Sequence, residues 1–314
     1  MSSIEKIMER LAEQDRAQKD GSDADSMPLP TAESSVEEKV AHSPERVPDE
    51  SGRSEPKPLE LQLDRFVSAG YLPENYEASC QFSEFRKIKR PILKKAFAEA
   101  RVEDERPRNM LMISSAVPGE GKTFCAINLT LNMILERDIT VMLMDVDCMR
   151  RSLSKIFGVE ALPGLVDVLE NELNIEDVIV NTAIPKLKIF PAGRAHQHTA
   201  ELLAGDRMKQ LAKELAARYP DRIILMDAPP LLAANDAEIL SHYVGQALIV
   251  VEADKTPQSL IQQALTCIDA TQIEVGLLLN KRESGLLAEN DSYGYGYGYG
   301  YGDYHSGDQV PEKG

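Results

Sequence analysis

Six short, nearly unbroken apolar runs recur along the middle of the chain: "NMLMISSA" (109–116), "TVMLMDVD" (140–147), "KLKIFPAG" (186–193), "RIILMDAPP" (222–230), "QALIVVEA" (246–253) and "IEVGLLLN" (273–280). Runs of this kind suit strands buried on both faces, the condition of a parallel sheet. Stretches with apolar positions at helical spacing separate them, notably "TFCAINLTLNMILERD", "TAELLAGDRMKQLAKELAARYP" and "TPQSLIQQALTCIDAT". Alternating strand and helix predicts an α/β fold, a mostly parallel central sheet with helices on both faces. A helical lead-in, "CQFSEFRKIKRPILKKAFAEARVED", precedes the first core strand. In such sheets the ligand sits at the carboxyl ends of the strands.

The flanks have a different composition. Residues 1–58 are rich in Asp, Glu, Ser, Pro and Lys and nearly free of aromatics, too little apolar surface to offset chain entropy. They read as a disordered acidic segment, with Ile4, Met8 and Leu11 offering one short helical spacing. Residues 59–285 form the folded domain. Residues 286–314 read as a flexible tail in which "YGYGYGYGY" alternates phenol and glycine. Glycine at every second position disfavours helix and weakens a strand. The formal charge of −16 leaves no electrostatic footprint for nucleic acid. No apolar run reaches the roughly 18–20 residues of a membrane span, and the acidic N-terminus lacks a signal-peptide pattern. Cys80, Cys125, Cys148 and Cys267 lie far apart, without disulfide or zinc spacing. These features point to a cytoplasmic chain. His196 and His198, in "GRAHQHTAE", have no carboxylate or thiol ligand beside them in sequence and read as part of a solvated loop.

Three motifs fall at predicted strand ends. Ala116 to Thr123 reads A-x-x-x-x-G-K-T, a phosphate-binding loop with Ala in place of the usual first Gly. Gly119 and Gly121 let backbone N–H groups turn toward phosphate oxygens, Lys122 reaches the β and γ phosphates, and the Thr123 hydroxyl ligates Mg²⁺. The helix beginning there adds favourable potential for anions. The candidate nucleotide contacts are Pro118, Gly119, Glu120, Gly121, Lys122, Thr123 and Phe124. In "VMLMDVDCMRR" (141–151), Asp145 and Asp147 end a buried strand, and paired buried carboxylates require cations. Mg²⁺ explains them: Asp145 holds the metal directly or through water, and either Asp can take a proton from an attacking hydroxyl. In "IILMDAPP" (223–230), Asp227 has the Walker B form and supports Mg²⁺. The predicted metal set is Thr123, Asp145 and Asp227, and the predicted catalytic set is Lys122, Asp145 and Asp147.

"SAVPGEGKT", an Asp-x-Asp strand end with nearby Arg, "MDAPP" and a Tyr-rich tail together resemble the bacterial tyrosine kinases (BY-kinases) of exopolysaccharide synthesis, over roughly residues 60–304. "PAGRAHQHTAELLAGDRM", "AARYPDRI" and "LLLNK" are similar to the subgroup found beside exosortase systems. The resemblance implies a P-loop architecture of the SIMIBI type, ATP and Mg²⁺ as cofactors, and Lys122, Thr123, Asp145, Asp147 and Asp227 around the phosphates and metal. It makes Asn280 a residue that reads adenine, with a strand-end cap as the plainer role. It implies a homo-oligomeric ring in which the tail enters a neighbour's site, and a separate membrane chain-length-determining protein that recruits or activates the enzyme at the inner face of the membrane. The candidate modified residues are Tyr293, Tyr295, Tyr297, Tyr299, Tyr301 and Tyr304. A tethered phenol has a high effective concentration at the site. Each phosphate adds about −1.5 to −2 charges, so full modification biases an oligomer toward dissociation.

Two departures from the family pattern stand out. Arg150 follows Asp145 by five positions in "DVDCMRRS", which leaves the roles of Arg150 and Arg151 open. The family's oligomer motif E-x-x-R-x-x-R is matched only in part, by Glu84, Lys87 and Arg90 or by Ser83, Arg86 and Lys89. Two other functions fit parts of the pattern. A partition or positioning ATPase of the same fold carries an early Lys in the loop, where this chain has Val117 followed by Pro118. A nucleotide-switched scaffold for polysaccharide assembly would use the tail only for adhesion.

Overall fold

The computed structural model describes residues 58–282, apart from 62, 99–105, 171–172 and 219–220. The acidic N-terminal segment and the tyrosine cluster lie outside the described residues. Three short helical pieces lead in: α1 (Leu63–Ser68), a 3₁₀ turn (Tyr76–Ala78) and α2 (Cys80–Ala96). The body then runs β1 (Met110–Ser115), α3 (Lys122–Met133), β2 (Thr140–Asp145), α4 (Ser152–Phe157), α5 (Leu165–Leu169), α6 (Ile175–Val178), β3 (Val180–Asn181) and β4 (Leu187–Phe190). It closes with α7 (Thr199–Ala204), α8 (Asp206–Arg218), β5 (Arg222–Asp227), α9 (Asp236–Ser241), β6 (Gln246–Glu252), α10 (Gln258–Thr266) and β7 (Glu274–Asn280).

The strands make one seven-stranded sheet in the order β3-β4-β2-β5-β1-β6-β7. All six strands expected from the apolar runs are present and pair in parallel. The edge strand β3 pairs antiparallel with β4 and is two residues long, too short to leave a periodic trace in sequence. The single helix expected over 199–220 is two, because the chain at Gly205 turns extended (ψ 160°) between α7 and α8.

Successive strand residues serve opposite cores. Met110, Met112, Met142, Met144, Ile224, Met226, Ala247 and Ile249 pack with α5, α8, α9 and α10. Leu111, Ile113, Val141, Leu143, Ile223, Leu225, Leu248 and Val250 pack with α1, α2, α3 and α4. The four central strands are therefore apolar at nearly every position, which is why their sequence shows no alternation. Apolar burial at roughly 25 cal/mol per Å² is the main force fixing this sandwich.

The 3₁₀ turn and the lead-in helix α2 lie on α3 and are bound to it by polar contacts. Tyr76 Oη donates to the Asn128 carbonyl (3.1 Å) and Asn132 Nδ2 donates to the Phe82 carbonyl (3.0 Å). Lys89 is buried; its Nζ donates to the Asn132 carbonyl at the end of α3 (2.7 Å) and pairs with Glu136 (2.7 Å). That carbonyl belongs to the last turn of the helix, where a side-chain donor replaces a missing backbone partner. Of the two partial oligomer-motif registers, Ser83, Arg86 and Lys89 therefore has its last member occupied inside the domain. Glu84, Lys87 and Arg90 are all exposed. Lys89→Ala is expected to cost about 1–3 kcal/mol of stability by urea denaturation, the range for losing a buried charged hydrogen bond. Arg86→Ala is expected to change it by less than about 0.5 kcal/mol, as exposed substitutions do.

Candidate functional site

The strand order brings the carboxyl ends of β2, β5 and β1 side by side, with Asp145 opposite Asp227 and Ile113 opposite Asp227 in register. Residues 116–121 leave β1 and feed straight into α3, whose first residue is Lys122. The turn needs left-handed backbone at Gly119 (φ +92°) and Gly121 (φ +97°). A β-carbon on Gly121 would also overlap the side-chain amide of Asn280. The left-handed backbone favours glycine there, and a larger residue at 121 would also push the Asn280 amide aside.

Lys122 reaches across the strand ends. Its Nζ lies 3.0 Å from Asp147 Oδ2 and 3.5 Å from Asp227 Oδ1. Thr123 Oγ1 donates to the other oxygen of Asp227 (2.7 Å). The residues named from three separated motifs thus converge on one point. Asp145 is placed differently. It is fully buried, and its Oδ2 accepts from both the Ser154 backbone N–H (2.8 Å) and the Ser154 hydroxyl (2.7 Å). Its Oδ1 accepts from the Asp147 N–H (3.2 Å). Asp145 therefore shapes the turn that carries Asp147, whereas Asp147 and Asp227 face the lysine. Asp147 Oδ1 takes the Arg150 N–H (3.1 Å), Arg150 itself is exposed, and Arg151 (φ +52°) donates through Nη1 to the Gly193 carbonyl (3.3 Å).

The electrostatics are those of too many carboxylates around one ammonium. Burial pushes Asp145 up to about 7, with the nearby Asp227 adding to the shift. Burial likewise raises Asp227. Burial opposes the charge on Lys122, but the fields of Asp227, then Asp147 and Asp145, hold its pKa above the ordinary value. Asp236, at the first turn of α9, joins the group: burial and then Asp147 raise its carboxyl. Sequence reading passed over Asp236 because it lies in a loop–helix junction with no strand-end pattern of its own.

Three buried aspartates with one lysine, and a threonine hydroxyl on one of the aspartates, fit a divalent cation bound together with phosphate. Mg²⁺ is commonly held through one or two carboxylates plus substrate phosphates and water. Among the described residues no group of three or more His, Cys, Asp or Glu forms a metal site by itself. The His loop has carboxylate partners: His198 lies 3.7 Å from Glu201, three residues on, and His196 Nε2 lies 3.0 Å from Glu170, which also binds Arg194 and is distant in sequence. Glu170 comes from the end of α5, so only the fold supplies it.

A second group surrounds the loop from the β6–β7 side. Asn280 Nδ2 donates to the Glu120 carbonyl (2.8 Å), and Lys281 Nζ donates to the Gly119 carbonyl (2.6 Å). The Asn280 amide expected to read a base is thus also bound to the phosphate loop. Phe124, on α3, is half-buried and packs against Phe85 (ring centroids 6.2 Å apart).

A buried strand running into a glycine-rich loop, with its Lys and Thr against aspartates from two neighbouring strands, defines a P-loop nucleotide-binding protein. No family model matches the chain. It is 30% identical over 191 residues to tyrosine-protein kinase YwqD of Bacillus subtilis, covering 60% of this chain and 79% of that protein. It is 32% identical over 173 residues to tyrosine-protein kinase ptk of Acinetobacter johnsonii, spanning 55% of this chain but only 23% of that relative's length. The kinase domain of Escherichia coli tyrosine kinase ETK superposes with a TM-score of 0.57 at 25% identity, over 74% of this chain and 84% of the other. The chain belongs to the bacterial tyrosine-protein kinase family. The exosortase-associated subgroup rests on the sequence resemblance alone.

The buried Asp145 sets a pH dependence. Its folded pKa (about 7) lies above the ordinary carboxyl value of 3.8, so the fold favours the protonated form. That contribution is fully present below the unfolded pKa and is lost as pH rises through the folded one. In EDTA, stability by urea denaturation is expected to fall between about pH 4 and pH 7, and Asp145→Asn should show a shallower slope over that interval.

Proposed function

We propose that the chain is an ATP-dependent protein-tyrosine kinase that phosphorylates its own C-terminal cluster, Tyr293, Tyr295, Tyr297, Tyr299, Tyr301 and Tyr304, and so regulates exopolysaccharide polymerisation and export. The observation that carries this reading is Lys122 held between Asp147 and Asp227 at the sheet's carboxyl edge, with Thr123 on Asp227. Family membership supplies the acceptor class.

In this mechanism the phosphate loop cradles the triphosphate and Lys122 neutralises charge on the β and γ phosphates. Thr123 and Asp227 would hold Mg²⁺, which would supply charge neutralisation for the transferring phosphate. Asp147 is the acceptor for the phenolic proton, because Asp145 is occupied by Ser154 and by the Asp147 N–H. The tyrosine oxygen gains the γ-phosphoryl group, the bond to the β-phosphate oxygen breaks, the proton goes to the carboxylate, and ADP leaves. Asp145 keeps Asp147 in place through the backbone of the turn. Asn280 remains the candidate for adenine recognition through the part of its amide not bound to the loop.

The regulatory part of the proposal follows from charge. Six phosphorylated tyrosines would add on the order of ten negative charges to a chain already at −16, which favours dissociation of a ring built through the exposed Glu84, Lys87 and Arg90 face. No described helix is long and apolar enough to cross a membrane. Recruitment to the inner membrane face by a separate chain-length-determining protein completes the reading.

Lys122→Met is expected to reduce phosphotyrosine formation by orders of magnitude, as loss of a transition-state charge does. Phosphotyrosine near the wild-type level, measured by mass spectrometry after incubation with Mg·ATP, would overturn the assignment. Replacing the six tail tyrosines by Phe should leave ATP binding intact, nearly eliminate phosphotyrosine, and keep the protein assembled on ATP addition while the wild type shifts toward monomer in light scattering. Equal dissociation of both proteins would make nucleotide binding the switch and the tail a bystander. A positioning ATPase or a scaffold would release phosphate or bind ATP without any label on tyrosine.

A further inference from the structure

We propose that the side chain of Glu120 is a positioning residue for nucleotide binding, the tether through which the turn after β6 sets the shape of the phosphate loop. A carboxylate inside an anion-binding loop is electrostatically unfavourable unless it serves another purpose. Glu120 is only 1% exposed, and both of its oxygens are used. Oε2 accepts from the Val117 N–H (2.8 Å), closing the loop on itself. Oε1 accepts from the Thr256 hydroxyl (2.5 Å), in the turn that joins β6 to α10, and from the N–H of Glu252 (3.3 Å), the last residue of β6. The carboxylate thus does inside the fold what a backbone acceptor would do in a longer loop, and its charge is met by three donors.

The same segment is fixed in its turn. Asp254 takes left-handed backbone (φ +58°), and the Thr256 N–H returns to the Glu252 carbonyl (3.1 Å). Glu252 binds Lys281 (3.3 Å), and Lys281 in turn donates to the Gly119 carbonyl. Asn280 holds the Glu120 carbonyl from the neighbouring strand. Residues 117–121 are therefore held by side chains and backbone from 252–256 and 280–281. Of these, only the contact through the Glu120 carboxylate joins the loop to the β6–α10 turn directly. With it removed, the Val117 N–H and Thr256 hydroxyl lose their acceptor and the loop loses the geometry that presents its N–H groups to phosphate.

The inference rests on the nucleotide-binding part of the proposed function and is independent of phosphoryl transfer. The test is an equilibrium titration of Mg·ATP, reading both Kd and binding stoichiometry. Glu120→Ala is expected to raise Kd by about tenfold or more, the cost of removing a charged acceptor from several donors. Glu120→Gln keeps an acceptor for Thr256 but offers a donor to the Val117 N–H, and should fall between Ala and wild type. Thr256→Val, which removes one donor and preserves shape, should raise Kd about three- to tenfold, with less than additive effect in combination with Glu120→Ala. A merely destabilised fold would lower the stoichiometry and leave Kd unchanged. Wild-type Kd in Glu120→Ala, or strict additivity of the pair, would overturn the proposal. Normal Mg·ATP binding by the wild type without any phosphotyrosine would overturn the kinase reading instead and leave this one standing.

Discussion

The crowding of carboxylates around Lys122 is the interaction on which the rest of the site depends. Asp147 and Asp227 lie within ion-pair distance of the same ammonium, and Asp145 adds its field from one strand away. In the interior such charges are stable only when paired or hydrogen-bonded. The chain answers with two devices. It gives Asp145 three donors of its own, and it leaves Asp147 and Asp227 short of positive charge. In the proposed mechanism a cation arriving with a triphosphate relieves that deficit at the place where charge must be neutralised.

The sheet order makes this crowding possible. Strand β5 lies between β2 and β1, so the Walker B aspartate sits between the Asp-x-Asp turn and the phosphate loop. Nothing in the site is positioned by the loop alone. Lys122 is anchored by strand ends in front of it, and residues 117–121 are fixed from behind by β6 and β7. The helices contribute stability at a distance: α2 caps the far end of α3 through Lys89, and α3 is the element that begins with Lys122 and Thr123.

The strands were legible because full burial on both faces erases alternation and leaves apolar runs bounded by Gly, Pro and Asp. The three motifs were legible because each combines a residue type with a strand end. The two-residue β3 and the short helices α4 to α6 were not, since segments of that length carry less than two turns of pattern. The break at Gly205 was hidden because an isolated glycine is also tolerated inside a helical pattern.

The sequence by itself determined that Lys122, Thr123, Asp145, Asp147 and Asp227 would meet at one edge of a parallel sheet, because local pattern places each at a strand's carboxyl end and parallel strands share that edge. Only the tertiary structure decided how they divide the work. Which aspartate faces the lysine depends on Ser154 reaching back to Asp145, nine residues on. The role of the Glu120 side chain depends on Thr256, more than a hundred residues away. The carboxylate beside His196, Glu170, comes from another helix. Short-range pattern encodes which residues are present at an edge; the direction in which each side chain points is set by hydrogen-bond partners that the chain brings together only when the sheet has formed.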